Sequence, residues 1–250
     1  MKIGIIGGSG LEKLNFFTNA KETSFESVYG QASSTLLEGE YHGIPIAILS
    51  RHGRDHSIPP TQINNRANID VLKKAGCTHI IATTACGSLK QEIGRGDIVI
   101  LDQFIDFTKH RHTTFHETFE NGELNHEGMA DPYNAEIRNK LINSAKEIDV
   151  NIHETGTVVT IEGPRFSTRA ESRMFQMWGA EVINMTSAPE TILAKEAGIP
   201  YAAIALSTDY DCWKVDEAPV SWEAVLEVFK ENVIKVTQIL DHVFANWERL

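Results

Sequence analysis

Strand-like apolar runs alternate with helix-like amphipathic stretches along most of this chain. Near-continuous apolar runs at 78–84 and 201–206 predict strands that are covered on both faces. Between such runs, apolar residues recur at helical spacing, as they do over 137–148. No linker, repeat or low-complexity stretch interrupts the alternation. The pattern predicts one α/β domain over residues 1–250, built on a largely parallel or mixed twisted β-sheet flanked by helices.

Turn-forming and capping residues predict the boundaries of several elements. Residues 39–43 are expected to form the turn of a hairpin within 29–50. Residues 61–75 predict a helix, and Pro132 is expected to start another. Ser221 is expected to cap the start of the last helix.

Polar, small or charged loops follow five of the predicted strands. These loops are 7–10, 51–56, 83–88, 162–167 and 207–212. In α/β sheets, ligands bind beyond the carboxyl ends of the strands. We therefore expect the loops to converge on one rim and to form the functional site.

The loop 207–212, Ser-Thr-Asp-Tyr-Asp-Cys, carries two carboxylates just past a buried strand. In an extended segment, residues two apart point the same way, so Asp209 and Asp211 are expected to face one ligand. Two carboxyls this close cannot both ionise without a cost in free energy, so the pKa of one of the two is expected to rise. A proton donor beside an acceptor suits this pair. A solvated loop and a D-x-D site for a divalent cation are the alternatives.

The densest basic cluster is Arg51-His52-Gly53-Arg54-Asp55-His56, in a chain whose net charge is −11. The cluster opposes the global charge, and arginine donates a planar fork of N–H groups to phosphate. We interpret it as an anion site; a surface loop with ion pairs is the alternative. Gly7-Gly8-Ser9-Gly10 can also present backbone N–H groups to an anion, although it fits a purely structural turn equally well.

Net charge and cysteine content exclude several kinds of partner and favour one cellular compartment. The acidic balance argues against nucleic-acid and anionic-membrane partners. Three cysteines, Cys77, Cys86 and Cys212, form no disulfide framework and favour a reducing compartment. No signal peptide and no membrane-spanning run is expected, so we predict a cytoplasmic location.

A histidine-rich stretch covers 108–128. Its histidines are His110, His112, His116 and His126. Histidine is a common metal ligand, yet this spacing matches no usual zinc pattern. We interpret the stretch as a mobile loop that lies above an active site or at a subunit interface, and we expect no metal.

The candidate rim combines an anion cradle with a carboxylate pair, an aromatic face at Phe166 and a flexible apolar residue at Met185. The sequence contains no Ser-His-Asp order, Cys-His dyad, Walker A loop or metal motif. A site that can bind phosphate next to a flat ligand with hydrogen-bonding edges is typical of an enzyme that cleaves a nucleoside with phosphate.

The chain resembles the 5′-methylthioadenosine phosphorylases, within the trimeric purine nucleoside phosphorylase family. Six segments carry the resemblance in family order and span essentially the whole length. They are Gly7-Gly8-Ser9-Gly10, Arg51-His52-Gly53, Thr83-Thr84-Ala85-Cys86-Gly87-Ser88, Glu162-Gly163-Pro164-Arg165-Phe166-Ser167, Asn184-Met185-Thr186 and Thr208-Asp209-Tyr210-Asp211-Cys212.

The resemblance implies a role for each matching position. Met185 would pack under the ribose, Phe166 would lie against the base, and Asp209 and Asp211 would bind the base edge. The phosphate ligands would be Ser9, Arg51, His52, Thr84, Ala85 and Thr186. Ser9 stands where threonine also occurs, which keeps the hydroxyl.

The resemblance also implies a set of specificity residues. Ser167 lies where the family distinguishes substrates, and Trp222, Val225 and Leu226 lie where it packs the 5′-substituent. Trp222 is bulkier than the small apolar residue expected there, which leaves the pocket size open. His126 matches a histidine that reaches a neighbouring subunit's nucleoside. A homotrimer is implied, with 104–125 and His126 near an interface.

The implied reaction converts S-methyl-5′-thioadenosine and phosphate to adenine and 5-methylthioribose 1-phosphate, as in purine and methionine salvage. Protonated Asp209 would donate to N7, and ionised Asp211 would accept from the N6 amino group. Phosphate is a co-substrate, and no cofactor is expected. A 6-oxopurine nucleoside phosphorylase is the nearest alternative; a metal-dependent glycosyltransferase and a non-catalytic nucleoside-binding module are the others.

Overall fold

The computed structural model describes residues 1–7, 18–119, 122, 124, 126–216 and 222–250. Its strands are β1 Ile3–Gly7, β2 Thr18–Thr23, β3 Leu36–Tyr41, β4 Ile44–Ser50, β5 His79–Ser88, β6 Ile98–Ile100, β7 Gln103–Phe107, β8 Ile152–His153, β9 Thr157–Ile161, β10 Val182–Asn184 and β11 Tyr201–Asp209. Its helices are α1 Asn65–Lys74, α2 Ala135–Glu147, α3 Arg169–Met177, α4 Ser187–Glu196 and α5 Trp222–Ala245, with 3-10 turns at Pro60–Gln62 and Asp211–Trp213.

The described strands form one sheet in the order β2-β3-β4-β1-β5-β10-β9-β7, and β11, β6 and β8 branch from β5. β5 pairs in parallel with β1 and β11, but its last two residues pair antiparallel with β10. The mixed sheet confirms the expected α/β fold. Because β5 changes partners along its length, Gly87 has Asp209 of β11 on one side and Ile183 of β10 on the other.

Helices cover both faces of the sheet, as the apolar pattern of β11 requires. Ala202, Ile204 and Leu206 join the core that α2 and α5 cover. The alternate residues Ala203 and Ala205 join the core that α1 and α4 cover. Side chains alternate across a strand, so a run that is apolar at every position needs a layer on each face. No helix within the described residues is long and apolar enough to cross a membrane.

Capping places two helix starts later than predicted. α1 begins at Asn65 because the side chain of Asn64 accepts the Ala67 N–H, at 3.1 Å, after a separate 3-10 turn. The Asn134 side chain accepts the Ile137 N–H at 3.0 Å and starts α2 at Ala135, so the start predicted at Pro132 is wrong. An amide side chain can satisfy a first-turn N–H that has no helical partner.

The predicted hairpin is confirmed, but its turn is shorter than expected. Residues 39–41 belong to β3, and only His42 and Gly43 turn, with φ of 50° and 77°. This two-residue turn with positive φ at both positions matches the right-handed twist of the flanking strands. The predicted cap Ser221 lies outside the described residues.

Candidate active site

Strand ends and the loops that follow them enclose a cavity of about 580 Å³ at the point where β5 branches. Residues 83–88 were predicted to be a loop, but they are the last part of β5, because they pair with β11 and β10. Ten of the predicted site residues line it, and this confirms the expected convergence for the described loops. They are Arg51, His52, Thr84, Ala85, Phe166, Ser167, Met185, Thr186, Asp209 and Asp211. His56, Gly87, Asn184 and Thr208 also line the cavity.

Five predicted site residues are not among the described residues that line this cavity. Ser9 lies outside the described residues, and Trp222, Val225 and Leu226 are described only as part of the α5 backbone. His126 is exposed, and its ring lies 5.6 Å from that of Phe119. The roles implied for these five residues stay predictions.

A buried ion pair holds Arg51 at one end of the cavity. Arg51 is 1% exposed, and its Nε and Nη2 donate to the two carboxylate oxygens of Glu190, the second at 2.9 Å. Its Nη1 donates to the Thr83 carbonyl at 2.8 Å. Tyr201 donates its hydroxyl to Glu190 at 2.9 Å. The planar guanidinium is therefore held in one orientation at the cavity wall.

Sequence reasoning missed Glu190, which lies in the first turn of α4 and is fully buried. It stands 139 positions after Arg51, and no local pattern connects the two. A buried carboxylate almost always has a partner, so the apolar surroundings of Glu190 were the one available signal.

Hydroxyl groups beside Arg51 are held by the amide of Asn184. Asn184 Nδ2 donates to Thr84 Oγ1 at 3.1 Å, and Thr160 donates to Asn184 Oδ1 at 2.8 Å. Thr84 Oγ1 lies 3.3 Å from Thr186 Oγ1. Thr84 Oγ1 accepts from this amide and donates to the Ala85 carbonyl oxygen at 3.0 Å.

Thr186 is the N-cap of α4, but its side chain caps no backbone N–H. The residue lines the cavity, beside a helix N-terminus that favours negative charge. Arg51, Thr84 and Thr186 can supply donors for an anion, and the N-terminus of α4 adds its dipole, although its Ala188 N–H already donates to Thr160 Oγ1 at 3.1 Å. We call this the phosphate end.

His52 has a fixed tautomer at the phosphate end. Its Nδ1 lies 2.9 Å from the Ile58 carbonyl, which can only accept, so Nδ1 carries the proton. Burial and then the nearby Arg51 charge lower the pKa of His52 to about 4. At neutral pH the ring is therefore uncharged, and Nε2 can accept a hydrogen bond from a hydroxyl of phosphate or sugar.

The carboxylate pair lies at the other end of the cavity, but not in the extended geometry expected. β11 ends at Asp209, and Asp211 has a φ of 49° in the 3-10 turn Asp211–Trp213. The turn directs the Asp211 N–H to Asp209 Oδ1 at 2.8 Å. Both side chains still line the cavity, because the chain folds back on itself there.

We call the end of the cavity that holds Asp209 and Asp211 the base end, because the nucleobase is expected there. The pKa values of both carboxyls are raised. Burial is the main cause for Asp209, and the neighbouring Asp211 charge adds to it. Burial also raises the pKa of Asp211, against hydrogen bonds such as that of Ser167, whose Oγ lies 3.0 Å from each carboxylate oxygen. The predicted rise is confirmed in direction and extends to both groups.

Close packing at two glycines shapes the base end. A Cβ at Gly87 would lie 2.9 Å from Asp209 Oδ1, so no other residue fits there without displacing the carboxyl. At Gly163, which has a φ of 68°, a Cβ would lie 2.5 Å from Met185 Sδ. Phe166 is 48% exposed and stands at the cavity mouth.

A clamp between Glu162 and Arg111 fixes the base-end loop. Glu162 accepts the Lys109 N–H at 2.6 Å and Arg111 Nε at 2.8 Å, while Arg111 Nη2 donates to the Glu162 carbonyl. The loop then enters α3 through a capping box of Thr168 and Glu171. In the described part of the chain, no group of three or more His, Cys, Asp or Glu residues could hold a metal ion.

Comparisons with known proteins agree on one family. The chain matches the model of the phosphorylase superfamily over residues 2–245. It is 51% identical over 243 residues to the S-methyl-5′-thioadenosine phosphorylase of Xenopus tropicalis, covering 96% of this chain and 86% of that relative. It is 47% identical over 242 residues to the Drosophila melanogaster protein of the same name, covering 96% and 84%.

Solved structures give the same result. The methylthioadenosine phosphorylase from Schistosoma mansoni in complex with adenine matches with a TM-score of 0.93 at 40% identity, covering 100% of this chain and 93% of that one. A mutant of the adenosine/methylthioadenosine phosphorylase from the same organism, in complex with methylthioadenosine, has a TM-score of 0.92 at 39% identity, covering 100% and 92%.

Proposed function

Because the chain belongs to the phosphorylase superfamily, we propose that it cleaves S-methyl-5′-thioadenosine with phosphate, releasing adenine and 5-methylthioribose 1-phosphate. One observation carries the proposal: a single cavity has fixed anion donors at one end and a buried carboxyl pair at the other. A nucleoside between them would present its base to the carboxyls and its C1′ to phosphate.

At the base end, Asp209 is the catalytic residue. Its raised pKa favours a protonated carboxyl that donates to N7 as the glycosidic bond breaks. Asp211, which receives the Ser167 hydroxyl, accepts from the N6 amino group. A 6-oxopurine would place a carbonyl oxygen against this carboxylate, so the edge selects 6-aminopurines.

At the phosphate end, Arg51, His52, Thr84, Ala85, Thr186 and Ser9 bind phosphate. The phosphate oxygen attacks C1′ from the face opposite the base and inverts that carbon. The N9–C1′ electron pair leaves with the purine, which takes the Asp209 proton at N7. Phosphate stabilises the oxocarbenium-like sugar in the transition state, and Met185 packs beneath the ribose.

The 5′ end of the substrate completes the proposal. Trp222, Val225 and Leu226 surround the methylthio group, and His126 reaches it from a neighbouring subunit of a homotrimer. An apolar pocket there favours methylthio over hydroxyl by about 1–3 kcal/mol. The reaction needs no metal or cofactor, and the free cysteines support a cytoplasmic location.

Parallel assays with four nucleosides test this function. Phosphate-dependent base release is measured from methylthioadenosine, adenosine, methylthioinosine and inosine, with a phosphate-free control and a chelator control. We expect methylthioadenosine to be cleaved fastest and both 6-oxopurine nucleosides to be nearly inert. Faster release from inosine would support the 6-oxopurine alternative, and activity lost in chelator would support a metal-dependent transferase.

A further inference from the structure

The Thr208 hydroxyl lies between two oxygens at the base end. Thr208 is buried at the end of β11 and lines the cavity. Its Oγ1 is 3.1 Å from the Cys86 carbonyl oxygen and 2.8 Å from Asp209 Oδ2. The sequence alone predicts no separate role for Thr208.

Counting protons at this point restricts the arrangement. A carbonyl oxygen can only accept, and a hydroxyl has one proton to donate. Thr208 can give its one proton to Oδ2, which leaves the 3.1 Å contact with the Cys86 carbonyl without a proton, or to Cys86, in which case Asp209 must supply the proton of the 2.8 Å contact. Only the second arrangement makes both contacts hydrogen bonds. The other oxygen, Oδ1, already accepts the Asp211 N–H, so the carboxyl proton belongs on Oδ2.

We propose that Thr208 holds the catalytic proton: protonated Asp209 donates from Oδ2 to Thr208 Oγ1, and Thr208 donates to the Cys86 carbonyl. Thr208 is then a positioning residue that keeps the carboxyl proton in place until a nucleoside offers N7 as acceptor. This inference rests on the proposed function, in which Asp209 protonates the departing base.

Asp211 has the opposite surroundings. The Ser167 hydroxyl lies 3.0 Å from each of its two carboxylate oxygens, and it directs its single proton at this group. Donors of this kind favour an ionised carboxylate. The hydrogen bonds therefore divide the pair into a proton-holding Asp209 and a proton-free Asp211 before substrate binds.

The groups that face Asp209 come from three parts of the chain. Asp211 in the following turn raises the pKa of Asp209, and Arg95, between β5 and β6, lowers it. The Cys86 thiol of β5 is buried, and its own pKa is raised well above the usual value, so it stays neutral. A change at Thr208 alone leaves all three in place.

The first experiment compares Thr208→Val with Thr208→Ser in pH profiles of kcat. Valine keeps the shape but removes the acceptor, so protonated Asp209 is destabilised and the basic limb moves to lower pH. The loss of one hydrogen bond lowers kcat at neutral pH by up to about 10-fold. Serine restores both the limb and the rate.

The reverse proton arrangement gives the opposite result. If Thr208 donates to an ionised Asp209, its hydrogen bond lowers the pKa of that carboxyl. The basic limb of Thr208→Val would then move to higher pH. That shift, or an unchanged profile, overturns the proposal.

Infrared spectroscopy of the ligand-free protein separates this inference from the proposed function. We expect the C=O stretch of a protonated carboxyl, absent in Asp209→Asn and shifted to higher frequency in Thr208→Val. If this carboxyl band is present but the protein cleaves no nucleoside, the proposed function is wrong and the Thr208 assignment stands. Cleavage without an Asp209-dependent band would keep the function and refute the assignment. Thermal melting of Thr208→Val and Asp209→Asn tests whether these two variants fold.

Discussion

The two ends of the cavity handle charge in different ways. At the phosphate end, the Arg51 charge is matched by Glu190, and the Asn184 amide orients the hydroxyls. At the base end, Asp209 and Asp211 are buried without a cationic hydrogen-bond partner among the described contacts, and their pKa values are raised. An anion that stays charged needs fixed donors, whereas a departing base needs a proton that can move.

Asp209→Asn tests this contrast with the largest expected effect. Asparagine keeps the shape but has no carboxyl proton, so adenine release should fall by about 10²–10⁴-fold in kcat. Binding of methylthioadenosine, measured by calorimetry, should change far less. Asp211→Asn is the matched comparison and should mainly weaken the preference for 6-amino over 6-oxo purines. Intact turnover in Asp209→Asn would show that this group is not the proton donor.

Glu190→Gln tests the phosphate end. The amide keeps the shape but removes the charge that orients Arg51. We expect the KM for phosphate to rise by about 10–100-fold, because a hydrogen bond to a charged group contributes about 1.5–3 kcal/mol. The KM for nucleoside should change little. Glu196→Gln on the same helix is the control, and an equal rise in both KM values would indicate a general loss of structure.

Asn184 and Thr84 should act as a unit in phosphate binding. Asn184→Ala and Thr84→Val each remove part of one hydrogen-bonded chain. The double variant should therefore lose less phosphate affinity than the sum of the single losses, with a coupling of about 0.5–3 kcal/mol. Isothermal titration with phosphate measures all four corners of the cycle. Simple additivity would mean that the amide does not orient the hydroxyl.

The two ends should also respond to acid with opposite sign, although by smaller amounts. His52 has a lowered pKa, so the unfolded chain binds more protons and stability falls as pH drops from about 6.5 to about 4. Asp209 has a raised pKa, so acid instead relieves the cost of its charge. His52→Asn should therefore weaken acid destabilisation, by about 1–3 kcal/mol. Asp209→Asn should stabilise the protein at neutral pH and lose that advantage in acid.

Chemical denaturation at several pH values measures these differences. The wild-type chain supplies the reference curve, and Glu196→Gln serves again as the control. If both variants shift stability in the same direction across the acid range, the contrast between the two ends is wrong.

Local patterns in the sequence were sufficient for the type and order of the elements, though not for the starts of α1 and α2, and for most residues that line the cavity. Every-position apolar runs such as 201–206 identify strands covered on both faces, and polar residues at their ends mark the rim. These inferences need only the neighbours along the chain, because strand burial and turn formation are set over a few residues. The ten predicted residues that line the cavity come from such segments.

Contacts between distant segments decided the rest. Arg51 meets Glu190 across 139 positions, and Thr208 meets the Cys86 carbonyl across 122. Gly87 of β5 lies close to Asp209 and to the Asp211 turn, because β5 pairs there with β11. Proton positions and pKa values follow from burial and from partners in space. A sequence lists the groups that can titrate, but the folded chain sets which of them keeps its proton.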